Sequence, residues 1–129
     1  KVLLDTGLLI KHLRNHKRAI QFLRILGKSD ELAISVISRY ELFVGTPATE
    51  MKVTKYLLSH MHSFPVTAQI ADRAGMLSYQ LRQQGTVIEA TDILIGATAL
   101  INNIQVATLN TSHFESIPGI RLYPIPSDI

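Results

Sequence analysis

Short apolar runs alternate with stretches of helical period along nearly all of this 129-residue chain, and that alternation restricts the fold more than any other feature. Val2-Leu3-Leu4, Leu32-Ala33-Ile34 and Gln105 to Thr108 read as strands, with Ile120 to Tyr123 as a final one. Phe64 and Val66 straddle Pro65, so a strand there is short or lies at an edge. Between these runs the spacing predicts helices over Gly7 to Leu13, His16 to Leu26, Thr49 to His60, and Thr67 to Gln84. Gly27 is placed to end the second of these. A further helix around Tyr40 to Val44 is capped by Ser35 or Ser38 and stopped by Gly45 and Pro47. The stretch from Thr91 to Asn102 is apolar on nearly every side, which predicts a buried helix. Strands that alternate with helices build a parallel sheet with helices on both faces. The length fits one domain over residues 1–129, and no repeat or linker divides it.

The chain has no cysteine, which excludes disulfides, thiol nucleophiles and thiolate metal sites. Asp5 interrupts the apolar N-terminal stretch, as a secretory leader would not allow. The apolar-rich run from Ile93 to Ile101 falls far short of the roughly 18 residues of a membrane span. The expectation is a cytoplasmic protein without a membrane partner. Thirteen Lys and Arg against ten Asp and Glu give a formal charge of +3. That excess points only weakly to nucleic acid, but more strongly if several acids are gathered into one pocket and leave the remaining surface basic. The densest basic stretch, Arg14, Lys17, Arg18, Arg24 and Lys28, reads either as a guide for a phosphate backbone or as a solvated helix face.

Three acids stand out by position. Asp5 follows the first strand at once, where open parallel sheets bind ligands, and equally where a helix cap belongs. Glu41 lies within the apolar sequence Tyr40 to Val44, so it faces solvent or an interior pocket with a partner. Asp92 opens the most hydrophobic helix, where it complements the positive helix end or faces the sheet. Taken together, the three can meet at the carboxyl edge of the sheet. Their repulsion there would be relieved by a divalent cation with a preference for hard oxygen ligands.

The same residues carry a resemblance to the PIN-domain family, in its VapC-type toxin branch. Val2 to Ile10 (VLLDTGLLI) resembles the first family motif, with Asp5 as its acid. Ile34 to Gly45 (ISVISRYELFVG) resembles the second, with Glu41. Ala90 to Leu100 (ATDILIGATAL) resembles the third, with Asp92, and Ala107 to Leu122 the closing strand and loop. The resemblance implies a PIN-like three-layer α/β/α sandwich with a central parallel sheet. It implies an endoribonuclease that hydrolyses RNA phosphodiester bonds with water activated by Mg²⁺, or by Mn²⁺, held by Asp5, Glu41 and Asp92. It also implies a VapB-type antitoxin partner, a homodimer, and a higher toxin–antitoxin complex that meets operator DNA only through the antitoxin. Many relatives place a fourth acid near Asn110 or His113, and this chain has the amide and imidazole instead. Asn110 is retained as a catalytic candidate able to orient a water. Gly7 stands where many relatives have a small polar residue.

Rival readings are separable. Thr6 reads as a polar neighbour of the acids or as a capping hydroxyl. A zinc site would need His12 with His16, or His60 with His62, to share a face. A non-catalytic PIN-fold nucleic-acid-binding or regulatory subunit would follow from the missing fourth acid. A receiver-like phosphoacceptor would need an early acidic pair and a late Lys, yet Asp5 stands alone and no Lys follows Lys55. Phe22, Leu42 and Phe43 read as an antitoxin surface or as core.

Overall fold

A computed structural model describes residues 1–129. Four parallel strands form its centre: β1 (Val2–Leu4), β2 (Leu32–Ser35), β3 (His62–Phe64) and β4 (Gln105–Ala107). Their order across the sheet is β3-β2-β1-β4. The connecting helices are α1 (Thr6–Leu13), α2 (Lys17–Ser29), α3 (Val36–Val44), α4 (Met51–Ser59), α5 (Ala68–Gln83), α6 (Ala90–Asn102) and α7 (Thr111–Glu115). The architecture is the expected three-layer sandwich.

The period-2 geometry of the strands divides the core into two halves. Leu3, Ala33 and Val106 point to one face and pack with Ile70, Leu77 and Leu81 of α5, Ile93 and Ala97 of α6, and Phe114 of α7. Val2, Leu4, Ile34 and Ala107 point to the other face, against Leu8 and Leu9 of α1, Leu23 and Leu26 of α2, Leu42 of α3 and Leu58 of α4. Both faces are covered, so the strands carry apolar runs instead of alternating with polar residues. As its composition predicts, α6 is largely enclosed, with Ile93, Ile95, Ala97 and Ala99 all buried. Gly96 allows a close approach here, because a Cβ at that position would lie 2.6 Å from Ile117 Cδ1.

Local signals set most boundaries. Ser35, of the two serines proposed, caps α3 by accepting the Ile37 N–H at 3.0 Å. Thr67 caps α5 through the Ile70 N–H at 3.2 Å, and Gly85 follows the helix with φ +79°. Asn15 has φ +61° and separates α1 from α2, and His16 begins α2 by accepting the Ala19 N–H. Two expectations are corrected. Gly27 does not end α2, which runs to Ser29, and the site of a Gly27 Cβ would lie in ordinary contact with Leu32. Ile120 to Tyr123 is not a strand. It pairs with β4 at one bridge, Val106 with Leu122, held by Val106 N–H to Arg121 O and Tyr123 N–H to Val106 O. Pro124 follows and has no N–H with which to extend the ladder. The segment expected as loop or turn, Asn110 to Phe114, winds into the short helix α7. No helix is long and apolar enough to cross a membrane.

Candidate active site

From β1 the chain moves outward to β2 and β3, then crosses back to place β4 on the other side of β1. The carboxyl ends of β1 and β4 therefore flank the switch point, where an open parallel sheet leaves a crevice. Asp5 stands there. Its backbone N–H donates to Ala107 O at 2.9 Å, which fixes its position against β4. Its two side-chain oxygens divide the roles that sequence left open. Oδ1 caps α1 by accepting the Thr6 N–H, and Oδ2 accepts the Thr108 hydroxyl, both at 2.8 Å. Asp5 is 6% exposed. Burial pushes its carboxyl above the ordinary value of 3.8, and the charges of Asp92 and Glu41 push the same way. The bonds from Thr108 and the Thr6 amide hold it back only in part.

Glu41 reaches this region from α3, and Thr6 links it to α1. The Thr6 hydroxyl donates to Glu41 Oε1 at 2.6 Å, and Ser38 Oγ lies 3.0 Å from the same hydroxyl. Thr6 is thus a neighbour of the acids and not merely a capping hydroxyl. Asp92 lies in the first turn of α6, half-buried, with Oδ2 at 3.3 Å from His113 Nδ1. Asn110 is exposed. Its backbone N–H donates to the Thr108 hydroxyl at 2.9 Å, while its amide nitrogen sits 2.9 Å from His113 Nδ1. Asn110 therefore joins the acids indirectly, through Thr108 to Asp5 and through His113 to Asp92.

Sequence reasoning missed Thr108 and Ser38. Thr108 reads only as the end of a strand, although a hydroxyl at the carboxyl end of a strand beside Asp5 is a signal once the strand order is known. His12 and His16 lie in different elements, on either side of Asn15. His60 Nδ1 faces Tyr56 O, and His62 stacks edge-on against Phe64. No three His, Asp or Glu side chains close tightly round one point as a preformed metal cage. Asp92 and Glu41 are near enough for their charges to act on Asp5, and each of Asp5 and Glu41 accepts a threonine hydroxyl. A cavity of about 530 Å³ opens beside Glu41, lined also by Arg14, Leu13, Thr46 and Val53, and neither Asp5 nor Asp92 lines it. Of the basic stretch, Arg14 is the member at this cavity, whereas Arg18 is held by Asp128 and Gln21. Leu42 is buried, and Phe22 and Phe43 pack against the same core.

The description "PIN domain" matches residues 2–120. The chain belongs to the PIN-domain family. This PIN domain is 39% identical over 120 residues to ribonuclease VapC10 of Mycobacterium tuberculosis, covering 93% of this chain and 90% of that one. It is 29% identical to a tRNA(fMet)-specific endonuclease VapC of Salmonella typhimurium, covering 95% and 96%. Among solved structures, DNA-bound VapBC from Salmonella typhimurium superposes with a TM-score of 0.86 at 29% identity, covering 95% of this chain and 96% of the other. VapBC2 of Rickettsia felis, bound to a DNA fragment from its promoter, gives a TM-score of 0.84 at 26% identity, covering 95% and 96%.

Proposed function

We propose that this PIN domain is a divalent-metal-dependent endoribonuclease, the toxin of a toxin–antitoxin pair. The observation that carries the reading is the environment of Asp5, a buried carboxylate at the switch point that feels the charges of both Asp92 and Glu41. Such crowding of like charge is unfavourable in an isolated protein and favourable around a cation. The three acids offer only oxygen donors, which suits Mg²⁺ or Mn²⁺, ions that keep several waters and need few protein ligands. Asp5, Glu41 and Asp92 would hold it. When bound, such an ion neutralises phosphate charge and makes water easier to deprotonate.

The chain's own residues supply the rest. Thr108 and the Thr6 amide hold the Asp5 carboxylate in one orientation, and the Thr6 hydroxyl holds Glu41. Asn110 stands at the exposed rim, where its amide can orient a water or a phosphate oxygen. Arg14, beside Glu41 at the cavity, draws an RNA backbone toward the acids. The names of the relatives support RNA as the substrate, and the VapBC assemblies support a VapB-type antitoxin as partner. A homodimer, and contact with operator DNA through the antitoxin, belong to the same reading.

The test is cleavage of RNA by the purified chain with Mg²⁺ or Mn²⁺. Asp5→Asn and Asp92→Asn should each abolish cleavage while circular dichroism stays unchanged. Cleavage retained by both variants would remove the acids from the mechanism. Intact RNA binding without metal binding at millimolar Mg²⁺ would favour a non-catalytic subunit.

A further inference from the structure

Thr6 touches two of the acids at once. Its backbone N–H donates to Asp5 Oδ1 at 2.8 Å, and its hydroxyl donates to Glu41 Oε1 at 2.6 Å. The second distance is that of an O–H···O⁻ bond to an ionised carboxylate. The same hydroxyl oxygen lies 3.0 Å from Ser38 Oγ. A hydroxyl has one proton, and an ionised carboxylate only accepts. The Thr6 proton is therefore committed to Glu41, and the proton in the second contact comes from Ser38. The donors run in one direction, from Ser38 to Thr6 to Glu41.

Ser38 is 0% exposed, lies in the first turn of α3, and has no partner for its hydroxyl other than Thr6. Ser38 and Glu41 are three residues apart, so they share one face of the helix and hold the Thr6 oxygen between them. No water reaches Ser38 to replace a lost bond, and a buried hydroxyl left without a partner is costly. A hydroxyl that accepts one hydrogen bond is also a stronger donor in the next. Resting on the acidic-pocket reading above, we propose that Ser38 is a positioning residue of the site. It makes no hydrogen bond to any acid and acts on Glu41 through Thr6, by filling the acceptor role of the Thr6 oxygen and strengthening its bond to Oε1. Glu41 is thereby held by one oxygen, and Oε2, which accepts no protein donor, remains available to a cation.

Two measurements on the full chain test this: Mn²⁺ affinity, read from the electron paramagnetic resonance signal of the free ion, and proton NMR without metal. Ser38→Ala should weaken Mn²⁺ binding by roughly two- to tenfold, the range of one neutral hydrogen bond. Thr6→Val should weaken it on the order of tenfold or more, as losing a group that supports a ligand does. Thr6→Ser, which keeps the hydroxyl, should restore most of that loss. Ser38→Ala combined with Thr6→Val should be no weaker than Thr6→Val alone, because Ser38 has no other route to Glu41. A Ser38 of purely structural value would weaken binding equally in both backgrounds. That result, or an affinity unchanged by Ser38→Ala, overturns the assignment. In the metal-free chain the Thr6 hydroxyl proton should be protected from exchange, absent in Thr6→Val and shifted upfield in Ser38→Ala. A signal that stays in place in Ser38→Ala also overturns it. Asp92→Asn separates the two levels of inference. If it leaves Mn²⁺ affinity unchanged, the acidic-pocket reading fails, and the hydroxyl proton alone decides whether Ser38 acts on Glu41 through Thr6.

Discussion

Replacing Thr108 with valine removes one oxygen atom and almost no volume, yet that oxygen ties the two central strands to the site. The hydroxyl donates to Asp5 Oδ2 at 2.8 Å and accepts the Asn110 N–H at 2.9 Å, on a side chain only 2% exposed. A hydrogen bond to a charged group contributes about 1.5–3 kcal/mol, and a neutral one about 0.5–1.5. Asn110 is exposed, so water replaces the lost partner of its N–H and only the lower end of that second figure applies. Thr108→Val should therefore cost about 2–3 kcal/mol at neutral pH, or roughly 6–12 °C in melting temperature for a domain of this size. The cost should depend on pH. The Thr108 bond favours the ionised form of Asp5 and lowers its pKa, so its loss is felt most where Asp5 is ionised in the folded state. Below the ordinary carboxyl value of 3.8, Asp5 is protonated in both folded and unfolded chains, and the penalty should shrink toward that of a neutral bond. Urea unfolding at several pH values between acid and neutral, without divalent ions, measures this. A pH-independent penalty below about 0.5 kcal/mol would refute the claim that Thr108 supports an ionised Asp5.

Two further outcomes follow from the same geometry. The Asp5 pKa is raised on folding, so this group's contribution to stability is complete below 3.8 and declines as pH rises through 3.8 toward the folded value. Asp5→Asn should thus unfold at higher urea than the wild type at neutral pH without divalent ions, lose that advantage under acid conditions, and fall behind once Mg²⁺ or Mn²⁺ is added. Phe114 is fully buried against α6 and Ile117, so Phe114→Ala should cost about 3–5 kcal/mol. A thermal melt checks it.

The layer arrangement was legible because the strands are short, apolar and followed at once by helix signals. Val2 to Leu4 ending in Asp5 is the plainest case, and the helix read over Thr67 to Gln84 is α5, capped by Thr67 and followed by Gly85. Gly27 misleads because helix propensity is a weak local force, and α2, anchored by the buried Leu23 and Leu26, runs two residues further to Ser29. Ile120 to Tyr123 misleads because apolar composition cannot reveal that only Leu122 finds a partner before Pro124. At the site, Asp5, Glu41 and Asp92 were each readable as acids in unusual positions. Thr108 and the His113 contact were not. Thr108 lies 103 residues from Asp5, and nothing in local spacing shows that β4 lies beside β1. That adjacency is a property of the strand order.

The same adjacency bears on how the protein is made. β1 is made well before its neighbour β4, and Asp5 takes a backbone anchor from Ala107 and a side-chain anchor from Thr108, 103 residues further on. A nascent chain that lacks those residues has the first acid in hand and no fixed place for it. The acids are therefore set in place only after β4 has been made and has docked beside β1.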